Sequence, residues 1–507
     1  MKKLLFYFLS IGMLWAFLEG SSYLLIRTFY DIDAKLNAYA EIIKSADYFT
    51  FDREIGRIAP IPGKVIYSGL GEFTNRFQTY GIPGLRAGFY GDGITPDARY
   101  RVAVVGDSMT RGVGSVDNLK FGWVESAERL VPNVDLVNLS NLGAASKTQL
   151  RTYKKIVSHI EHDTIFLNFS TGDDYVNEAF GGMDGTDYRN LVPASLPPSQ
   201  NVEDFLKKSQ IDLVYNAGCE QIASMPVKSY LHLVISKIVS SLGQGLYQAF
   251  PALFPTCPAH GPAARRNIPK SIAETGKVMD DGIAKVRNRY VPSIPDDLKD
   301  ISIESRISVI NGVRFVIPDH FTDSKSASYL ADVAAANVNE FFSWASHHGK
   351  RLVLIIHPTK EEVYFDLIKT NRLSPGTFSV AGIVGAMKQV LGISSGSKER
   401  YFSNTDLSKI DVDLTRDLFK SKLDPGVPVL DLTEPLRQIA RKSGVFLYWR
   451  ADGHYSPTGY LHVATLICHK VLELFPNAKN SPPAMACAIS EQKWGEAASL
   501  QHYPKGE

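Results

Sequence analysis

Hydrophobic positions along this chain fall into two regimes separated near Tyr100. From Tyr100 onward, short apolar runs alternate with amphipathic stretches. RVAVV (101–105), VDLVNL (134–139) and DTIFLNFS (163–170) read as buried strands. GWVESAERLV (122–131) and SKTQLRTYKKIVSHI (146–160) carry the helical period. Short apolar runs separated by helical patterns predict β-α-β units and a mostly parallel sheet.

That rhythm breaks between about 178 and 325, where LVPASLPPSQN (191–201) and a Cys-Pro-rich stretch replace it. It returns with helix 329–349, strand RLVLIIH (351–357), strand PVLDL (428–432), helix 433–444, strand VFLYW (445–449) and helix 456–475. The expected domain is therefore discontinuous, 99–177 plus 326–476. An insertion at 178–325 interrupts it, and an irregular tail, 477–507, follows it. Residues 27–98 carry Pro and Gly punctuation rather than a helical period and predict extended, turn-rich chain.

The first 26 residues follow a third pattern. Met1-Lys2-Lys3 precedes LLFYFLSIGMLWAFLEGSSYLLI, a run about as long as a bilayer core requires. Glu19 lies toward its far end. The leading lysines predict a cytoplasmic N-terminus and an exported, periplasmic or extracellular domain. The expectation is an uncleaved signal anchor forming one transmembrane helix, with a cleaved signal peptide as the rival. The apolar stretch 229–250 is punctuated by His232, Lys237 and Gln244, and it predicts a helix lying on the core rather than a second span.

Composition narrows the function. With 507 residues and a net charge of +2, the chain can bury a large core and has no Lys/Arg block suited to nucleic acid. The short ARR at 264–266 reads as a solvated loop. Four cysteines, Cys219, Cys257, Cys468 and Cys487, allow two local disulfides or four buried thiols. Their spacing suggests no zinc site, and neither metal nor cofactor is expected.

The candidate chemistry begins where the first strand ends, at Gly106-Asp107-Ser108. A nucleophile, a phosphate cradle and an ordinary strand-to-helix turn all fit such a position. Gly106, Gly112 and Gly114 match neither the dinucleotide fingerprint nor the P-loop, and no Gly-Lys-Ser/Thr follows. A nucleophilic serine needs a base, a group that orients the base, and N–H donors for the oxyanion. WRADGHYSPTGY (449–460) supplies His454 with Asp452 two residues before it; His357, at the end of strand 351–357, is the rival base.

On these residues the chain resembles the GDSL/SGNH hydrolase superfamily, which implies a flavodoxin-like, three-layer α/β/α fold and esterase chemistry. VVGDSMTRGVGS (104–115) is similar to the family's first block, which makes Ser108 the nucleophile and its backbone N–H an oxyanion donor, with Asp107 supporting it. NLSNLGAASKTQ (138–149) resembles the second block, with Gly143 as the second donor. ADGHYSPTGY resembles the last, with His454 as base and Asp452 as its partner; the D-x-H spacing, LVLIIHPTKEEVY and VPVLDLTEPLRQ are similar to the alginate O-acetylation branch.

STGDDYVN (170–177) stands where the family has Gly-x-Asn-Asp. Gly172 and Asp174 fit, but Asp173 takes the place of the asparagine, and a carboxylate donates only when protonated. Asp173 and Asp174 sharing a proton, or Asn177 or Asn168 reaching into the site, would each restore a donor. The resemblance implies an extracytoplasmic hydrolase acting on an acyl, notably acetyl, ester. A polysaccharide O-acetyltransferase and an inactive glycan-binding or assembly module are the alternatives, with an acyl ester or glycan and the membrane as partners.

Overall fold

The computed structural model describes residues 48–52, 57–68, 73–96, 98–131, 133–140, 144–172, 174–180, 305–310, 313–369, 409–443, 446–450, 452–478 and 487–500. The N-terminal part holds β1 (Phe49–Asp52), β2 (Arg57–Pro60), β3 (Val65–Ser68), β4 (Asn75–Gly81) and β5 (Gly88–Tyr90). These pair antiparallel, β1 with β2 and β4 with both β3 and β5. Chain expected to be merely extended thus forms small sheets, whose Tyr80, Ile82, Ala87 and Phe89 pack into the main core.

The central sheet starts with β6 (Tyr100–Val105), which leads into the short helix α1 (Ser108–Arg111), then α2 (Asn118–Phe121) and α3 (Trp123–Leu130). β7 (Val134–Asn138), α4 (Ser146–Ile156), β8 (Thr164–Ser170) and α5 (Asp174–Phe180) follow. The antiparallel hairpin of β9 (Ser305–Ile310) and β10 (Val313–Pro318) precedes α6 (Ser324–His347), β11 (Arg351–His357) and α7 (Lys360–Lys369). The chain then forms α8 (Leu414–Ser421), β12 (Val429–Asp431), α9 (Thr433–Ser443), α10 (Pro457–Leu474) and α11 (Glu491–Ser499).

β6, β7, β8, β11 and β12 form a five-stranded parallel sheet in the order β12-β11-β8-β6-β7. Counted along the chain, that is 2-1-3-4-5. In this doubly wound arrangement the ligand crevice lies outside the carboxyl ends of the strands where the order reverses. Alternate residues of each strand enter opposite cores. Val102, Val104, Leu136, Phe166, Val353 and Ile355 face α3, α9 and α10; Ala103, Val105, Val137, Ile165, Leu167 and Leu354 face α4 and α6. Burial on both faces is why these strands are apolar runs without alternation.

The expected transmembrane helix requires correction, and with it the membrane partner, the signal anchor and the anchored placement outside the cytoplasm. Among the described residues no helix is long and apolar enough to cross a membrane. α6 spans 24 residues but exposes Lys325, Asp332 and Glu340, while α10 carries His462, Lys470 and Glu473. Residues 1–26, on which the expectation rested, lie outside the described residues, as does the 229–250 helix.

The described part of VFLYW, Phe446–Trp449, is not a strand either: Tyr448 makes an isolated antiparallel bridge with Tyr455, and the rest is loop. Cys468 and Cys487 form a disulfide that ties α10 to the chain ahead of α11 (Cα–Cα 5.7 Å). Cys219 and Cys257 lie outside the described residues.

One buried acid makes stability depend on pH. Glu125 of α3 is 2% exposed, and its Oε2 has no hydrogen-bond partner among the described residues. Burial drives its pKa up to about 8, with the backbone, the Asn138 amide and Arg129 opposing the rise. Between about 4.5 and 8 the folded chain therefore holds a proton that the unfolded chain has lost, so stability falls as pH rises through that window. Glu125→Gln is expected to melt with wild type near pH 4.5 but to be more stable by about 2 kcal/mol or more at pH 8, as each pKa unit is worth about 1.4 kcal/mol. Thermal denaturation at the two pH values checks this. Equal curves at pH 8 would contradict it.

Candidate active site

β6 ends at Val105, and the chain turns at once into α1. Asp107 caps that helix, its Oδ1 accepting the Met109 N–H at 2.9 Å. It is 3% exposed, and this capping role fixes the turn rather than contributing a reactive group. Ser108 is then the first residue of α1, where backbone N–H groups lack intrahelical acceptors. Its side chain stands at the sheet's carboxyl edge, 8% exposed.

The N-terminal sheets hold this turn in place. Asn75 Oδ1 accepts the Gly114 N–H at 2.7 Å, and Asn118 Oδ1 accepts that of Gln78 at 2.9 Å. The Arg111 guanidinium lies over the Tyr90 and Phe77 rings, 3.7 and 4.5 Å from their centroids. Gly114 has φ +97°, and a Cβ there would lie 2.4 Å from the Tyr455 carbonyl, so the turn tolerates only glycine at this point.

His454 approaches from the other end of the domain. Its loop follows Leu447 and leads into α10, whose cap Ser456 accepts the Gly459 N–H at 3.2 Å. His454 Nε2 lies 2.9 Å from Ser108 Oγ, and Nδ1 lies 2.5 Å from Asp452 Oδ1. The same carboxylate oxygen accepts the His454 backbone N–H at 2.8 Å. The imidazole is 23% exposed and Asp452 38%, so solvent reaches these two groups while Ser108 is buried.

Burial disfavours the charged form of Asp452, but the hydrogen bond and charge of His454, the backbone N–H and the Lys360 charge outweigh it. Its pKa therefore lies below the ordinary carboxylate value. An ionised carboxylate on Nδ1 fixes the tautomer that leaves Nε2 free to take a proton from Ser108.

The rival base does not reach the site. His357 is fully buried, its Nε2 lies 2.8 Å from Asn168 Oδ1, and burial drives its pKa down to about 3. Asn168 is committed as well, its Nδ2 donating to the Val105 carbonyl at 2.9 Å. It acts as a strut between β6, β8 and β11, which removes it as a candidate oxyanion donor.

Gly172 sits in the turn after β8. Asp174 opens α5, fully buried, and accepts the Ser170 N–H at 2.7 Å, a structural tie beneath that turn. Gly143 and Asp173 lie outside the described residues. Asn177 is half-buried on α5.

Two aromatic residues that sequence patterns did not single out join the Ser108 turn to the His454 loop. Trp449 Nε1 donates to the Gly114 carbonyl at 2.8 Å, and the Tyr460 hydroxyl donates to the Val113 carbonyl at 2.7 Å. The available signal was a cluster of aromatic residues, Tyr448, Trp449, Tyr455 and Tyr460, flanking a histidine that an apolar strand would not require.

No protein-family model, no curated protein and no solved structure matches this chain.

Proposed function

We propose that the chain is a serine esterase of the SGNH kind, acting through an acyl-serine intermediate. The observation that carries this reading is the continuous chain from Ser108 Oγ to His454 (2.9 Å) to Asp452 (2.5 Å). In the first half-reaction Ser108 Oγ attacks the ester carbonyl carbon while its proton passes to His454 Nε2. Asp452 balances the imidazolium, and the Ser108 backbone N–H is the donor this reading assigns to the oxyanion.

Collapse of the tetrahedral intermediate breaks the bond to the alcohol, which leaves with the proton from Nε2. A water activated by the same imidazole then frees the acid and regenerates Ser108. A sugar hydroxyl in place of that water would make the product a new ester, which is the transferase alternative. A binding module has no use for a serine, an imidazole and a carboxylate in hydrogen-bonded sequence, and this favours an enzyme.

A fluorophosphonate probe is expected to label wild-type chain on the tryptic peptide carrying Ser108, with displacement of fluoride and formation of an Oγ–P bond. Digestion and mass spectrometry locate the adduct. Absence of label at Ser108 in folded protein would overturn the reading.

A further inference from the structure

α7 opens with three consecutive charged residues, Lys360-Glu361-Glu362, and all three are buried, Lys360 being 2% exposed. Two of them have structural work. Glu362 Oε2 accepts the Thr359 N–H at 2.7 Å while Thr359 Oγ1 accepts the Glu362 N–H at 3.1 Å, a reciprocal cap for the helix. Glu361 Oε1 accepts the Val316 N–H at 2.6 Å and ties α7 to β10.

Lys360 is misplaced by the same local rules. A cation in the first turn of a helix opposes the helix dipole, and burying an ammonium is costly unless it is paired and hydrogen-bonded. What compensates it is specific. Nζ donates to the carbonyls of Trp449, Arg450 and Asp452 at 3.1, 3.0 and 3.0 Å, so three acceptors match an ammonium's three donors. All three belong to the loop that carries Asp452 and His454.

Other bonds hold the start of that loop: the Leu447 N–H donates to the Tyr364 hydroxyl and the Tyr448 hydroxyl to the Pro358 carbonyl, both at 2.6 Å, and Trp449 Nε1 to the Gly114 carbonyl at 2.8 Å. Its backbone bonds include Trp449 N–H to the His454 carbonyl at 3.1 Å and Ser456 N–H to the Leu447 carbonyl at 2.9 Å, with no strand ladder among the described residues. We propose that Lys360 is a positioning residue, a buried ammonium that gathers the Trp449, Arg450 and Asp452 carbonyls and so sets Asp452 and His454 against Ser108. Its effect on turnover rests on the esterase reading; its effect on the loop does not.

The test compares wild type with Lys360→Met. Amide hydrogen exchange across 447–456 is expected to accelerate in the variant while β6 and β8 keep their protection. Fluorophosphonate labelling of Ser108 should slow by about 10–100-fold, the scale on which small misplacements of reacting groups act. In an Asp452→Asn background the same substitution should cost less than about 3-fold, because the two residues act through one imidazole.

Unchanged exchange in the loop, or fully additive losses, would overturn the proposal. A wild-type chain that takes no label overturns the esterase reading instead, and the exchange comparison still decides the role of Lys360. If Lys360→Met does not fold, Lys360→Gln, shorter and uncharged, carries the same comparisons.

Discussion

Ser108→Ala is expected to lower p-nitrophenyl acetate hydrolysis by at least about 10³-fold, to the level left by binding and backbone donors alone. The loss follows from removing the atom that forms the covalent bond. His454→Ala should fall equally far, and the double variant no farther, since neither residue acts without the other. Asp452→Asn keeps the shape and an acceptor oxygen but removes the negative charge that balances the imidazolium and holds its tautomer, and should cost up to about 10⁴-fold. The fold should not suffer in Ser108→Ala, because the imidazole that loses its partner is 23% exposed and finds water instead. Steady-state rates with a melting curve for each variant decide the matter. A folded Ser108→Ala chain hydrolysing at the wild-type rate would remove Ser108 as nucleophile.

The sheet was legible because its strands are buried on both faces. RLVLIIH and DTIFLNFS carry consecutive apolar residues, Leu352–Ile356 and Ile165–Leu167, with no polar alternation, and β11 and β8 occupy those segments to within a residue. VFLYW has the same signature for a different reason. Its Leu447 and Tyr448 are buried by helix α10 and a cluster of tyrosines, not by neighbouring strands, and periodicity does not distinguish the two. The N-terminal sheets were hidden by their turns. Gly84 takes positive φ in the connection between antiparallel β4 and β5, and Gly63 does so where the chain passes from β2 to the next sheet, so punctuation that suggests irregular chain marks turns between strands.

At the site, the residue types of Ser108, Asp452 and His454 declared themselves by chemistry and position at strand or loop ends. Asn168 and Lys360 did not, because their roles lie in contacts between segments far apart in sequence. An asparagine inside an apolar strand has to be paired, but only the fold shows that its partners are Val105 and His357. A lysine beginning a helix looks like a solvated side chain until three carbonyls are found around it.

The largest stability effect is expected at Gly459, in the first turn of α10. A Cβ there would lie 1.9 Å from the Leu447 carbonyl oxygen and 2.8 Å from its carbon, both backbone atoms that no rotamer change can move. That oxygen also accepts the Ser456 N–H at 2.9 Å, so it cannot swing away without uncapping the helix start. Relief requires α10 to lift from the loop, and α10 buries Tyr460, Val463, Ala464, Ile467, Cys468 and Val471 against the sheet. Gly459→Ala should therefore destabilise the fold by about 3 kcal/mol or more, at the upper end for overpacking. Gly453→Ala, in the same loop but with nothing within 4 Å of the added carbon, should cost less than about 1 kcal/mol. Denaturant titration of the pair separates close packing from loop sensitivity in general. Equal midpoints would mean that α10 moves freely over Leu447, and the approach that delivers His454 to Ser108 would not be rigid.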